Sequence, residues 1–320
     1  MSAPFVFGFL PSSEEEQTPP TVAPPVERSA ERSDEQDKNT SFVWLDDLES
    51  RFEKSLQEDI PNDLIHLSPT DSSQFLRRVQ ERSSSSSRRF QNSDLVPGIY
   101  EGGLKVWECS VDLCCYLQAN NICCEGKLLE LGCGHGLPGC WALKQARLRQ
   151  QSTFVVFSDF NQFVLTDVTI ANIAINTKGS SSNPNEFKEL ATWLSEHVGL
   201  GAGDWNRMSK QLLEEPQKQP PRDSQDDGKF DFILAAETTY SETAAMDTAR
   251  LIAKHLKRGT GVAYVATKRY YFGVGGGSDC FRSALAAQPL SSTFQVETVK
   301  VYDNGAGNIR ELLEVKSLPC

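Results

Sequence analysis

Three carboxylates in this chain stand where a short apolar run gives way to polar or glycine-rich sequence. Glu130 lies in Lys127-Leu-Leu-Glu-Leu-Gly-Cys-Gly-His-Gly-Leu-Pro-Gly139, Asp159 in Phe154-Val-Val-Phe-Ser-Asp-Phe-Asn161, and Glu237 closes Phe230-Asp-Phe-Ile-Leu-Ala-Ala-Glu237. Each has a chemistry suited to that place. Gly132, Gly134 and Gly136 let backbone approach a ligand closely, since they lack a Cβ and tolerate positive φ. Glu130 precedes them and can meet the amino group of a cationic amino-acid moiety, a placement that a pyrophosphate-binding loop would not favour. Asp159, 29 residues later, can accept hydrogen bonds from both hydroxyls of a ribose. Glu237-Thr-Thr-Tyr240 places the third carboxylate, with a phenol three residues on, at the ligand-binding end of a buried strand. Trp107 and Glu108 offer an aromatic wall and an acceptor, and Gly203-Asp204-Trp205 a turn able to border an adenine. Bland readings compete: a glycine turn serving strand–helix packing, an aspartate capping the next helix, a tryptophan in the core.

Positioning these residues requires alternating strands and helices. Residues 127–131 read as a buried strand, Pro138–Arg149 as the following helix, 154–159 as the second strand and Thr166–Asn176 as the next helix. A helix runs from about Trp107 to Gln118, after a turn at Gly102–Gly103. The third strand is poorly marked between Phe187 and Leu200, and Gln211–Lys229 reads as a polar surface loop. Phe230–Glu237 is a central strand, followed by helix Ala244–Lys257, strand Thr260–Thr267 and helix Asp279–Ala287. Lys268-Arg-Tyr-Tyr-Phe-Gly-Val-Gly-Gly-Gly277 between them reads as a mobile loop over a pocket or as a plain flexible connection. Thr293–Tyr302 and Ile309–Lys316 alternate in polarity around Asp303-Asn-Gly-Ala-Gly307, a hairpin signal. The fold class is thus α/β, with a doubly wound sheet closed by an antiparallel hairpin, which a wholly parallel dehydrogenase sheet lacks.

Composition limits the remaining possibilities. Hydrophobic residues make up 39% of the 320, low for a chain packed throughout. Of the formal net charge of −11, residues 1–95 carry −8 (10 Lys+Arg against 18 Asp+Glu), leaving −3 for the rest. The acid lies mainly outside the strand–helix region, and no basic surface suggests direct nucleic-acid binding. Seven of the nine cysteines fall between Cys109 and Cys140, in adjacent or isolated positions without zinc-knuckle spacing. They read as small apolar residues, reduced in an intracellular compartment, with no metal site expected. No stretch approaches the ~18 apolar residues that span a bilayer and no signal-peptide pattern opens the sequence, so a soluble intracellular protein is expected.

The expected division is an acidic, largely disordered region over 1–94 with short helical segments and a catalytic-type domain over 95–320. Residues 1–40 are rich in Pro, Ser, Thr and Glu, interrupted by Phe5, Phe7 and Phe9, which suit addition to a sheet edge or docking in a groove. Phe42, Leu45, Leu48, Phe52 and Leu56 keep near-helical spacing, predicting one amphipathic helix over Phe42–Leu56. Ser83–Ser87 reads as a flexible linker.

From Gly98 onward the chain resembles the seven-strand, family-sixteen S-adenosylmethionine-dependent methyltransferases, and within them the protein-histidine methyltransferase branch. The resemblance rests on Tyr100-Glu-Gly-Gly-Leu-Lys-Val-Trp-Glu-Cys109, Leu129-Glu-Leu-Gly-Cys-Gly134, Phe157-Ser-Asp-Phe-Asn161, Gly203-Asp-Trp205, Glu237-Thr-Thr-Tyr240 and Tyr271-Phe-Gly-Val-Gly-Gly-Gly277. It implies S-adenosyl-L-methionine as cofactor, held by Val106, Trp107, Glu108, Cys109, Ser110, Glu130, Gly132, Gly134, Gly136, Asp159, Phe160, Asn161, Gly203, Asp204, Trp205 and Ala236. It further implies Glu237 and Tyr240 as catalytic residues and Tyr271 and Phe272 as substrate contacts. The implied reaction is methylation of a histidine tele nitrogen in a large-subunit ribosomal protein, the one called L three, by a monomer in cytoplasm and nucleus, including the nucleolus, with an influence on ribosome assembly or translation. A lysine methyltransferase of the same family, a nicotinamide dehydrogenase and a non-catalytic ribosome-assembly adaptor are the alternatives.

Overall fold

The computed structural model describes residues 41–80, 89–90, 94–179, 183–214, 229–289, 291–303, 305 and 307–319. The Phe5/Phe7/Phe9 segment, the Ser83–Ser87 linker, most of the Gln211–Lys229 loop and part of the 303–307 turn lie outside the described residues.

The chain builds an eight-stranded sheet. Its elements, in order, are β1 (Phe42–Trp44), α1 (Leu48–Gln57), β2 (Asn62–His66), β3 (Phe75–Val79), α2 (Glu108–Ala119), β4 (Gly126–Leu131), α3 (Leu137–Arg149) and β5 (Thr153–Asp159). Next, α4 (Gln162–Val164) passes through a π-turn (Leu165–Thr169) into α5 (Ile170–Thr177). Then come α6 (Pro184–His197), β6 (Val198–Gly203), α7 (Trp205–Glu214), β7 (Phe232–Ala236), α8 (Glu242–His255), β8 (Val262–Lys268), α9 (Ser278–Ala286), β9 (Phe294–Tyr302) and β10 (Arg310–Ser317). The strand order is β1-β6-β5-β4-β7-β8-β10-β9. β6, β5, β4, β7 and β8 are parallel, whereas β10 and β9 form the expected terminal antiparallel hairpin. The winding reverses between β4 and β7, so their carboxyl ends open a crevice of the kind in which doubly wound sheets hold ligands.

Near-continuous apolar strands let both faces of the sheet be covered. Leu128, Val155, Phe157 and Leu234 pack one face beneath α2, α3, α5 and α6. Leu129, Leu131, Val156, Ile233 and Val265 pack the other beneath α7, α8 and α9. Five of the eight described cysteines are buried and all eight are free, consistent with their reading as small apolar residues.

The N-terminal side of the expected boundary at residue 94/95 departs from the sequence reading. Phe42–Leu56 is not one helix: Phe42–Trp44 is a strand with a buried-exposed-buried pattern, and Asp47, at φ +55, turns the chain into α1. β1 pairs antiparallel with β6, and α1 packs against α6, where Thr192 Oγ1 donates to Glu49 at 2.7 Å. The β2–β3 hairpin is bolted to α5 by Asn176 and Asn172, whose side-chain oxygens accept from the Arg77 and Val79 amides at 2.7 Å. Residues 41–80 are therefore part of the same fold as the sheet. β6 itself is Val-Gly-Leu-Gly-Ala-Gly, a strand whose glycines conceal it in the sequence. They make room for β1: a Cβ on Gly201 would lie 2.2 Å from the Phe42 ring, and one on Gly203 1.8 Å from the Ser41 carbonyl.

Candidate functional site

A cavity of about 580 Å³ opens at the carboxyl ends of β4, β5, β7 and β8. The segment 94–107 walls it from outside. That strap is anchored by Tyr100, 1% exposed, which stacks on Phe90 and Phe163. Asn161 fixes it further, donating to the Ile99 carbonyl at 2.8 Å and accepting from the Glu101 amide at 3.1 Å. His135 Nε2 contacts the Leu104 carbonyl at 2.7 Å, and burial lowers its pKa to about 4, which keeps it neutral.

On the β4–β5 side, the carboxylates are already engaged by backbone amides. Glu130 Oε2 accepts from Gly139 at 2.8 Å, at the amino end of α3, while burial lifts its pKa to about 8. Asp159 accepts from Gly134 at 2.9 Å and Asn161 at 3.0 Å, and burial raises it to about 6. Both still line the cavity. A carboxylate has about four lone-pair sites, so these amide bonds leave capacity for a ligand. Asp204 caps α7 through the Asn206 and Arg207 amides at 2.9 and 3.0 Å. Trp205 stands beside Gly132, its Cζ2 3.6 Å from where a Cβ would be. Trp205 Nε1 and Thr238 Oγ1, both on residues of the wall, are buried with no hydrogen-bond partner among the described residues.

On the β7–β8 side, Glu237 adopts φ +59, a left-handed conformation costing a non-glycine residue of order 1 kcal/mol. Its side chain is 7% exposed. Oε2 accepts from the Tyr271 hydroxyl, while Oε1 has no hydrogen-bond partner among the described residues and lies 3.8 Å from Lys268 Nζ. Tyr240 donates to Glu101 Oε2, tying the strap to the end of β7. The Tyr271–Gly277 loop, expected to be loose, is packed at its end: Gly277 N donates to the Thr239 carbonyl at 2.9 Å, and a Cβ on Gly276 would meet that carbonyl oxygen at 2.1 Å.

The structure brings Val106, Trp107, Ser110, Glu130, Gly132, Gly134, Asp159, Phe160, Asp204, Trp205, Ala236, Glu237, Tyr240 and Tyr271 onto one cavity wall. Six sequence-expected residues are not on it. Gly136 caps α3 at φ +67, Gly203 makes room for β1, and Asn161 braces the strap. Cys109 is fully buried behind the wall, its thiol raised well above its ordinary pKa by burial and then by the Glu237 carboxylate. Glu108 is at the exposed rim, and Phe272 is 85% exposed. Glu101, Thr238 and Lys268 line the cavity without having been singled out as site residues. Glu101 lay within a quoted motif, but nothing local marks it as the Tyr240 acceptor. Among the described residues no cluster of His, Cys, Asp or Glu is arranged to hold a metal, and no helix is long and apolar enough to cross a membrane.

No family model matches the chain. It is 36% identical over 224 residues to the histidine protein methyltransferase 1 homolog of Dictyostelium discoideum, a match covering 70% of this chain and 60% of that protein. The Rattus norvegicus homolog is 34% identical over 223 residues, 67% of this chain and 57% of that one. Histidine protein methyltransferase 1 of Schizosaccharomyces pombe is 30% identical over 211 residues, 60% of this chain and 59% of that protein. The chain thus spans somewhat under two thirds of the length of these relatives. Among solved structures, magnesium protoporphyrin IX methyltransferase from Synechocystis superposes with a TM-score of 0.40 at 12% identity, over 72% of this chain and 94% of that one. The fold assignment rests on strand order and not on that superposition. With its strand order, its crevice at the β4–β7 reversal and its similarity over 224 residues, this chain is a relative of the histidine protein methyltransferase 1 proteins.

Proposed function

We propose that the chain is an S-adenosyl-L-methionine-dependent protein-histidine N-methyltransferase acting at the tele nitrogen. The observation that carries the reading is Glu237, a buried carboxylate with one oxygen unbonded, facing the same cavity as the glycine cradle. The cradle suits the cofactor: Glu130 is placed for an ammonium, Trp205 Nε1 and Thr238 Oγ1 lack hydrogen-bond partners among the described residues, and Gly132 leaves the space a Cβ would fill. When bound, S-adenosyl-L-methionine supplies an electrophilic sulfonium methyl.

The protein's work is alignment. A free imidazole has a pKa of about 6.5, so near neutral pH it already carries a lone pair. Glu237 Oε1 accepts the pros N–H of the acceptor ring, which fixes the tautomer and leaves the tele lone pair facing the cradle. Tyr271 holds the other carboxylate oxygen, and Tyr240 is set by Glu101, so neither wall must reorganise. Once the tele nitrogen carried the methyl, the ring would be cationic, the carbon–sulfur electron pair having left with the neutral thioether. Glu237 stabilises that charge and takes the pros proton, which then passes to solvent.

The acceptor protein we propose is a large-subunit ribosomal protein of the L three type, in the cytoplasm or nucleus, linking the reaction to ribosome assembly or translation. The test is radiolabelled methyl transfer to that protein, followed by amino-acid analysis for tele-methylhistidine. The rate should fall below about pH 6.5 and plateau above it. A rate still climbing near pH 9, with methyl-lysine in the digest, overturns the reading.

A further inference from the structure

The acceptor side of the cavity is built like a site for an organic ammonium, and the chain fills that site itself. Lys268 Nζ lies 3.8 Å from Glu237 Oε1 and 3.9 Å from Glu108 Oε2. It also sits 5.5 Å from the Trp107 ring centre and 5.4 Å from that of Tyr271, within the range at which an aromatic face attracts a cation. Two carboxylates and two aromatic rings thus surround one ammonium. Its position is fixed by the sheet: Lys268 is the last residue of β8, in register with Arg310 of β10, and its amide lies 3.4 Å from the Tyr271 hydroxyl.

From this juxtaposition we infer that Lys268 is a specificity-determining residue that excludes cationic amine acceptors from the Glu237 pocket and leaves it open to a neutral ring. A lysine side chain enters as an ammonium of pKa about 10.4 and needs the same carboxylate and the same rings. It meets a like charge held at that place, and displacing Lys268 leaves a charged group in a cavity where it is only 21% exposed. A neutral imidazole needs neither the rings nor the charge. It needs one acceptor for its N–H, and Glu237 Oε1 has no hydrogen-bond partner among the described residues. Lys268 touches no reacting atom in this scheme; it decides which acceptor the pocket admits. The inference rests on the acceptor-side reading of Glu237 given above.

Binding separates the inference from transfer. The full chain, saturated with S-adenosylhomocysteine, is titrated with n-butylammonium and with 4-methylimidazole at about pH 8.5, where the amine is charged and the ring mostly neutral. Ligand-detected magnetic resonance reads both. Lys268→Met and Lys268→Gln should each bind n-butylammonium at least about tenfold more tightly than wild type, while Lys268→Arg, which keeps the charge, should stay within about twofold of it. The 4-methylimidazole affinity should change less than the ammonium affinity in all three. Equal n-butylammonium affinity across the series overturns the inference, as does an arginine variant that behaves like the methionine one. If the ammonium series behaves as expected but wild type labels no histidine in large-subunit ribosomal protein, the pocket exclusion stands and the reaction assigned to it fails.

Discussion

The two halves of the cavity are finished to different degrees. On the β4–β5 half, Glu130 and Asp159 accept from Gly139, Gly134 and Asn161, so the acids brace the loop that surrounds them. On the β7–β8 half, Glu237 carries a strained backbone and an oxygen with no hydrogen-bond partner among the described residues, faced by Lys268 Nζ at 3.8 Å. The first half is a cradle built before any ligand arrives. The second joins backbone strain to an unsatisfied carboxylate oxygen, whereas the unpartnered groups of the first, Trp205 Nε1 and Thr238 Oγ1, are uncharged.

The sharpest way to break the contrast is on the cradle side. Gly134→Val puts a branched side chain at φ +50, with its Cβ 3.0 Å from the Gly103 carbonyl oxygen. Calorimetry should show S-adenosylhomocysteine affinity reduced by about a thousandfold or more. A folded variant that binds within about threefold of wild type would place the cofactor elsewhere. On the acceptor side, Glu237→Gln should lower kcat about a hundredfold while leaving that affinity within about twofold. Loss of both together would erase the distinction between the halves.

Trp44→Ala tests the outer support of the cradle half. The ring is 6% exposed and lies against Gly199 of β6, the strand that delivers Asp204 and Trp205. Its removal should cost about 3 kcal/mol in a denaturant titration, with kcat on a histidine acceptor within about twofold of wild type. An unchanged midpoint would mean that β1 is not needed to hold β6.

Glu130 offers the smallest effect and the most specific one. Burial holds its carboxyl at about 8 against 4.5 for the ordinary group. The protonated form is favoured in the folded state, so this group's stabilising contribution is whole below about pH 4.5 and is lost as pH rises through about 8. Glu130→Gln keeps an acceptor for the Gly139 amide and removes the titration. Its stability should exceed that of wild type by about 1–2 kcal/mol near pH 8, with the gap closing toward pH 5. Parallel profiles for the two proteins would show that burial is not what governs this carboxyl.

The acids were legible in the sequence because each ends an apolar run, and the sheet's carboxyl ends are where such residues must gather. The hairpin was legible from alternation around Asp303–Gly307. What stayed hidden depended on partners far away in the chain. β6 was poorly marked because its glycines answer to Phe42 and Trp44, some 155 residues earlier. β1 and α1 looked like one helix because Phe42, Leu45, Leu48, Phe52 and Leu56 share a spacing that a strand, a left-handed residue and a short helix satisfy equally well. Lys268 and Glu101 have no local mark at all, since their roles exist only where β8 and the strap meet β7.

The hydrogen bond from Tyr240 to Glu101 joins the wall that receives the acceptor to the strap that encloses the cofactor side. Any movement of the strap away from β7 must break a contact that also shapes the Glu237 side of the cavity. The cavity therefore behaves as one hinged enclosure, in which loosening the strap also loosens the wall beside Glu237.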